Sequence, residues 1–161
     1  MGLFNDFTGR KRIFRLLIML SLTCKTAIKA VIYLSCKREE NKKISAKEIA
    51  EQINASEHTV SKALQLLVRQ GVINSLKGPS GGFFLTEKQQ NQPIYTIVET
   101  VEGKGIFTDC GLGLSKCSET HPCPIHNEYK VARELVEKIF REKRVIDLHS
   151  SVSNGLAYLI G

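Results

Sequence analysis

The chain has 161 residues, of which 42% are hydrophobic and 24% charged, a composition typical of one soluble globular domain with an added element. Its net charge of +7 is unevenly distributed. Residues 1–92 contain 15 Lys and Arg against 7 Asp and Glu, whereas residues 93–161 contain 8 against 9. The basic half is therefore expected to meet a polyanion such as nucleic acid, although a merely solvated basic surface would have the same composition.

The N-terminal segment is similar to a short signal peptide, because basic residues precede apolar ones over residues 10–23. Arg15 interrupts the apolar run, no small-x-small cleavage site follows, and the run is too short to span a bilayer. We interpret residues 1–18 as an N-terminal extension, with a true start at Met19 as the alternative. Without export features, the expected location is the cytoplasm, and no membrane contact is expected.

Helical spacing of apolar residues predicts helices over residues 19–36, 44–53 and 57–70. The second has Ser45 as N-cap with Glu48 three residues later, and Gly71 ends the third. Two helices joined by the short turn 54–57 are typical of a helix-turn-helix, although a plain helical hairpin has the same pattern.

The outer face of the third helix favours the helix-turn-helix, because its polar donors suit phosphates and base edges in the major groove. After Glu57 this face has no acidic residue. The candidate DNA-binding residues on it are His58, Thr59, Ser61, Lys62 and Gln65.

Two short β-like runs, VINSLK and FFLT, flank the Gly/Pro turn GPSGG, which predicts a hairpin. A hairpin directly after a recognition helix is the wing of a winged helix. Its glycines permit close approach of the backbone to a phosphate or minor groove. The candidate DNA contacts of the wing are Lys77, Ser80, Gly81 and Gly82.

The second half begins with a polar linker over residues 88–93 and a short helix over 94–103. A long amphipathic helix is predicted over residues 127–148. Its apolar stripe is expected to pack on a second subunit, with packing on its own domain as the alternative. The stripe comprises Val131, Leu135, Val136, Ile139 and Phe140.

The loop between these helices, residues 110–126, concentrates soft ligands: Cys110, Cys117, Cys123 and His126. Spacing alone leaves an iron–sulfur cluster, zinc, redox-active thiols or a disulfide, and unliganded thiols open. Zinc accepts three cysteines and a histidine, but structural zinc sites usually contain close Cys pairs, which this loop lacks. With Pro124 as the first helical residue, Cys123 becomes the N-cap, so that Cys123 and His126 face one iron.

The remaining two cysteines, Cys24 and Cys36, lie within the first helical pattern and are expected to be small buried thiols.

Three stretches together resemble the Rrf2 family of bacterial winged-helix transcription regulators. They are SLTCKTAIKAVIYLS (21–35), ISAKEIAEQINASEHTVSKALQLLVRQGVINSLKGPSGGFFL (44–85) and IVETVEG (97–103). The wing motif over residues 77–83 is the most specific part. Lys77 and Phe83 stand where the family usually has Arg and Tyr, which keeps the charge and the ring.

The resemblance implies a cluster site, because cluster-binding members place three cysteines between the wing domain and a long dimerisation helix. In the iron–sulfur branch a histidine follows the third cysteine at the place of His126, which favours a two-iron two-sulfur over a four-iron four-sulfur cluster. The first gap has six residues where that branch has five. Other branches take an acidic fourth ligand, for which Asp6, Asp109 and Glu119 are candidates.

We therefore expect a mainly α fold with a small β-hairpin wing: a winged helix-turn-helix domain plus a long C-terminal dimerisation helix. The expected divisions are an extension (1–18), the DNA-binding domain (19–92), a connecting helix with the Cys loop (93–126), and the dimerisation helix with the C-terminal tail (127–161).

The expected function is that of a homodimeric transcription regulator on double-stranded DNA with a roughly palindromic site. An iron–sulfur cluster would control it in response to a redox, iron or nitric-oxide signal. The alternative is a cluster-independent Rrf2-type repressor with a zinc or thiol switch in the loop. An enzyme is not expected, because a Gly-rich phosphate loop with Lys, Cys-x-x-Cys and a Ser/His/Asp order are absent from the sequence.

Overall fold

The computed structural model describes residues 20–38 and 42–160, so the N-terminal extension and Asp6 lie outside the described residues. The N-terminal helices are α1 (Leu22–Cys36), α2 (Ala46–Gln52) and α3 (Glu57–Arg69). The strands β1 (Asn74–Leu76) and β2 (Gly82–Phe84) follow. The C-terminal helices are α4 (Glu87–Gln90), α5 (Ile94–Glu102), the 3₁₀ helix η1 (Lys104–Phe107), α6 (His126–Glu142) and α7 (Val145–Ser153).

The helix-turn-helix forms as its capping residues predict. Ser45 Oγ accepts the backbone N–H of Glu48 at 3.1 Å, and α3 ends at Gly71 with a φ of 71°. The inner face of α3 is buried against α1 and α2. Its buried residues are Val60, Ala63, Leu64 and Leu67. The outer face is thereby left to solvent.

The wing is an antiparallel pair in which Asn74 lies opposite Phe84 and Leu76 opposite Gly82. The segment before α2 adds a third short pairing, because Ile44 and Phe83 exchange backbone hydrogen bonds of 3.0 and 2.8 Å. The wing is therefore fastened to the helix-turn-helix through its second strand.

The predicted polar linker over residues 88–93 is wrong in part, since α4 occupies its first half. Thr86 and Gln89 form a capping box that starts this helix. Gln89 Nε2 donates to Gly71 O at 3.0 Å and Gln92 Nε2 to Val72 O at 2.9 Å. These amides satisfy carbonyls just after α3, so the segment fixes the end of that helix.

The prediction of one helix over residues 127–148 is also wrong, because the chain breaks between Glu142 and Val145. Lys143 is extended, with a ψ of 124°. Its carbonyl accepts the Ile94 N–H at 2.9 Å, and the Val145 N–H donates to Gln92 O at 3.1 Å. These tertiary hydrogen bonds replace helical ones, and the buried Val145 then directs α7 onto α1.

The apolar stripe of the long helix divides between two faces of α6. Phe140 packs edge-on against Phe107 at a centroid distance of 6.2 Å, within the protein's own core. Val131, Leu135 and Ile139 are instead 67%, 59% and 46% exposed. The alternative, packing on the chain's own domain, therefore holds for Phe140 and does not hold for Val131, Leu135 and Ile139.

The fold class predicted from the sequence, mainly α with a β-hairpin wing, is confirmed. In the described part of the chain, every helix is too short or too polar to cross a bilayer.

Candidate metal centre and nucleic-acid interface

The Cys loop runs from η1 to α6 as a series of tight turns. The Gly113 N–H donates to Cys110 O at 2.8 Å, and Ser118 and His121 pair their backbones across a further turn. Gly113 has a φ of 71°, which suits a glycine. These turns fold the loop back on itself, so the separated cysteines meet at the start of α6.

The structure brings all four predicted ligands together. The Sγ atoms of Cys110, Cys117 and Cys123 lie within 4.8 Å of one another, and all five cysteines of the chain are free. Cys110 Sγ is 3.5 Å from Cys123 Sγ, and Cys117 Sγ is 3.1 Å from His126 Nδ1. The four side chains thus line one small cavity of about 30 Å³, and Cys117 Sγ also lies close to the other two Sγ atoms.

The predicted start of the helix is wrong by two residues. Cys123 is not the N-cap of α6, because its carbonyl accepts the His126 N–H at 3.0 Å in a turn and the helix begins at His126. Cys123 and His126 therefore do not lie on one helical turn, although both border the same cavity.

Cys110 and Cys117 differ in acidity. The backbone N–H of Leu114, together with that of Leu112, lowers the pKa of Cys110 to about 7, against the opposing effect of burial. The Cys123 backbone lowers the pKa of Cys117, but burial and the two neighbouring thiols outweigh this, and the pKa of Cys117 is raised. Cys110 therefore supplies a thiolate, the form that binds a metal, near neutral pH.

The donor set fits a thiophilic metal group. His126 Nε2 is buried without a hydrogen-bond partner among the described residues, as expected for an imidazole that awaits a ligand or a further group. The other candidate ligands are placed differently: Glu119 pairs with Lys130, and Asp109 accepts a hydrogen bond from Thr108. Neither carboxylate converges with the three cysteine sulfur atoms.

The cysteines outside the loop follow the sequence prediction to different degrees. Cys24 is fully buried in the core, and burial raises its pKa to about 12. Cys36 is half-buried beside Ser153. Both lie outside the loop site.

Two side chains that the sequence reading missed also border the cavity: Tyr129 and Arg133. They follow His126 by three and seven residues, which is one face of a helix. A helical wheel started at His126 would have found them.

The predicted DNA-reading residues of α3 lie on its outer face. His58, Lys62 and Gln65 are exposed, whereas Thr59 and Ser61 are half-buried. An open groove of about 380 Å³ separates this face from the wing, and Gln65, Arg69 and Lys77 line it. This groove presents amide and cationic groups without a carboxylate among its lining residues, as a phosphate-binding surface requires.

The predicted wing residues occupy the far side of that groove. Lys77 and Ser80 are exposed at the hairpin, and the Gly81 N–H closes the turn on Gly78 O at 2.9 Å. Gly82 has a φ of 146° and lies against the Ile44 backbone. Gly81 and Gly82 are half-buried, so they shape the wing while Lys77 and Ser80 present polar groups to solvent.

Comparison with known proteins yields one family model, described as Rrf2, iron-dependent transcriptional regulator, which matches residues 20–151. A protein of Aquifex aeolicus (strain VF5) named "Putative HTH-type transcriptional regulator" is 29% identical over 133 residues, 81% of this chain and 91% of that protein. The HTH-type transcriptional repressor NsrR of Streptomyces coelicolor is 24% identical over 109 residues, 68% of this chain and 69% of NsrR.

Solved structures share the fold at low identity. CymR, the global cysteine regulator of B. subtilis, has a TM-score of 0.67 at 22% identity and covers 83% of this chain and 98% of its own. T. potens IscR has a TM-score of 0.66 at 16% identity, with 86% and 91% covered. Because the family model spans most of the sequence, the chain belongs to the Rrf2 family of transcriptional regulators.

Proposed function

We propose that this protein is a DNA-binding transcription regulator whose affinity for its operator is controlled by an iron–sulfur cluster in the Cys loop. The single observation that carries the proposal is the convergence of Cys110, Cys117, Cys123 and His126 at the start of α6. The description of the matched family as iron-dependent supports it further.

The match of His126 to the iron–sulfur branch supports a two-iron cluster. A two-iron two-sulfur cluster takes two protein ligands on each iron, and ligands of one tetrahedral metal with bonds of about 2.3 Å lie roughly 3.8 Å apart. Cys110 Sγ and Cys123 Sγ, at 3.5 Å, have about that spacing, whereas Cys117 Sγ and His126 Nδ1, at 3.1 Å, lie closer together. When bound, the cluster would supply a redox-active and labile group, with the histidine raising its potential.

A zinc site or a thiol switch in the same loop is the second candidate. The three Sγ atoms lie within 4.8 Å of one another, which is compact enough for a single ion. The 3.5 Å between Cys110 Sγ and Cys123 Sγ also favours that pair for disulfide formation upon oxidation. A zinc site or a thiol switch would use the same residues as the proposed cluster and would differ from it in what the cysteine sulfur atoms bind.

The first experiment identifies that group. Protein prepared anaerobically should be coloured, with iron and acid-labile sulfide in equal amounts, two of each per chain. Colourless protein with one zinc per chain would exclude the cluster and support a zinc site.

The signal would pass from the loop to the DNA-binding domain (19–92) through α6. The loop segment (93–126) holds the start of α6, while Lys143 and Val145 join the end of α6 to Ile94 and Gln92 at the start of α5. The loop with the cluster and the loop without it would favour two different positions of α6. A difference of about 1–3 kcal/mol in the free energy of DNA binding between the two forms is enough for regulation.

Alanine at Lys62 tests the recognition helix. Lys62 is exposed and without a hydrogen bond or ion pair to any described residue, so it is free to contact DNA. We expect Lys62→Ala to weaken binding to DNA selected from a random-sequence pool by about 1–3 kcal/mol. Lys77→Ala, on the wing, should release about one counterion fewer on DNA binding. The slope of the logarithm of the binding constant against the logarithm of the salt concentration should therefore fall by about one.

The control for Lys62 is Lys138→Ala, which removes an equal charge from the far helix α6, where Lys138 lies 3.8 Å from Glu142. It should bind DNA as the wild type does. Equal binding by Lys62→Ala, Lys77→Ala and the wild type would contradict the assignment of both helix and wing.

A glutamate at Leu135 tests the proposed homodimer. Helix α6, which begins the expected dimerisation segment (127–161), exposes Val131, Leu135 and Ile139 on one face, and a symmetric pair of such helices would bury that face. We expect Leu135→Glu to convert the dimer into a monomer, measured by light scattering on a sizing column. Glu134→Gln, an exposed residue directly before Leu135 and therefore on a different side of the helix, should remain dimeric; a Leu135→Glu protein that stays dimeric would refute this interface.

A further inference from the structure

The cavity of the Cys loop is bordered by one permanently charged side chain, Arg133 of α6. Its Nη1 donates to the carbonyl of Asp109 at 2.6 Å, across 24 residues of sequence. Its guanidinium carbon lies 5.7 Å from the centroid of the Tyr129 ring. Its Nε is buried and has no hydrogen-bond partner among the described residues.

The charge of Arg133 is not neutralised by any described carboxylate. Its one described acceptor is a backbone carbonyl, whereas the nearby Lys130 is paired with Glu119. Three thiolates around a divalent zinc ion or a two-iron cluster leave a net negative charge at the site. A guanidinium is always charged and less strongly hydrated than an ammonium, which suits it to a half-buried position beside such a group.

Arg133 also fixes the first cysteine of the loop. Asp109 directly precedes Cys110, so the hydrogen bond to its carbonyl ties the backbone at Cys110 to α6. Beside it, Gly111 lies so close to the Tyr129 ring that a Cβ there would be 2.9 Å from the ring. Arg133 and Tyr129 thus hold the beginning of the loop against the helix that carries His126.

We propose that Arg133 is a positioning and charge-compensating residue of the loop's metal centre: it sets Cys110 through the Asp109 carbonyl and offsets the negative charge of the thiolate-bound metal. This inference rests on the proposed function, because it needs a metal group in the loop. It adds a member to the site that lies outside the four ligands.

The experiment compares Arg133→Met and Arg133→Lys with wild type, all prepared anaerobically. The measurements are iron, sulfide and zinc per chain, metal loss to a chelator, and the midpoint potential followed by absorption. We expect Arg133→Met to hold the metal about 10–100-fold more weakly, as substitutions of residues that orient metal ligands do. Its remaining cluster should have a lower midpoint potential, because the added electron then meets no compensating charge. Arg133→Lys should restore most of the potential but less of the metal retention, since it keeps the charge and loses the planar fork.

Lys138→Met is the matched control, because it removes a positive charge from the same helix away from the loop, and it should match the wild type. Circular dichroism and Tm establish that each variant is folded. A folded Arg133→Met protein with wild-type metal retention and potential overturns the role of Arg133 and leaves the cluster proposal standing. A wild-type chain that binds zinc alone overturns the cluster proposal, and chelator competition then still tests Arg133. A wild-type chain with neither metal overturns both.

Discussion

Anaerobically prepared Cys123→Ala protein is expected to lose most of its iron and sulfide and the visible absorption that accompanies them. Cys123 Sγ lies 3.5 Å from Cys110 Sγ and belongs to the group of three converging thiols, so its removal leaves one ligand pair incomplete. Metal content and the absorption spectrum measure the result. DNA binding should change with it, because the loop holds the start of α6.

The matched control is Cys36→Ala, which removes a half-buried thiol that lies beside Ser153 and outside the loop. It should keep wild-type metal content. If Cys36→Ala lost the metal and Cys123→Ala retained it, the loop would not be the metal centre.

Alanine at Gly82 should destabilise the wing by about 3 kcal/mol and lower Tm by roughly 6–12 °C. Gly82 has a φ of 146°, and a Cβ there would meet the Ile44 backbone at 2.7–2.9 Å. Neither backbone can move easily, because Ile44 and Phe83 are joined by two hydrogen bonds. Displacing the wing should also weaken DNA binding, which thermal unfolding and a binding titration at fixed salt would measure together.

Gly78→Ala separates the clash from the backbone conformation. Gly78 lies in the same hairpin with a φ of 111°, but nothing lies within 4 Å of its Cβ position. It should therefore destabilise the protein less than Gly82→Ala does. Equal losses from the two substitutions would show that backbone strain, and not contact with Ile44, fixes the wing.

The members of the candidate metal centre could be predicted from the sequence, but their pairing could not. Soft ligands concentrated in one glycine-rich loop indicated a metal site, and the structure brings the same four residues together. Which ligand pairs with which depends on the turn at Cys123, whose carbonyl accepts the His126 N–H. Pro124 after Cys123 is typical of a helix start and also of such a turn, so the sequence does not distinguish the two.

The helices of the DNA-binding domain followed from local patterns. Apolar spacing, the N-cap at Ser45 and the stop at Gly71 are short-range signals, and α2 and α3 form within one residue or two of the ends they predict. The break after Glu142 has no such signal. It arises because Lys143 and Val145 pair with residues 92–94, about 50 residues away along the chain.

By itself, the sequence determined the winged-helix class, the basic outer face of α3 and the identity of the four candidate ligands, since each depends on residue type and short spacing. Only the tertiary structure decided the two ligand pairs, the fastening of the wing to Ile44, the end of α6 and the place of Arg133 at the loop. Each of these depends on contacts between residues distant in sequence or on how a loop closes. Such contacts are selected by the packing of the whole chain.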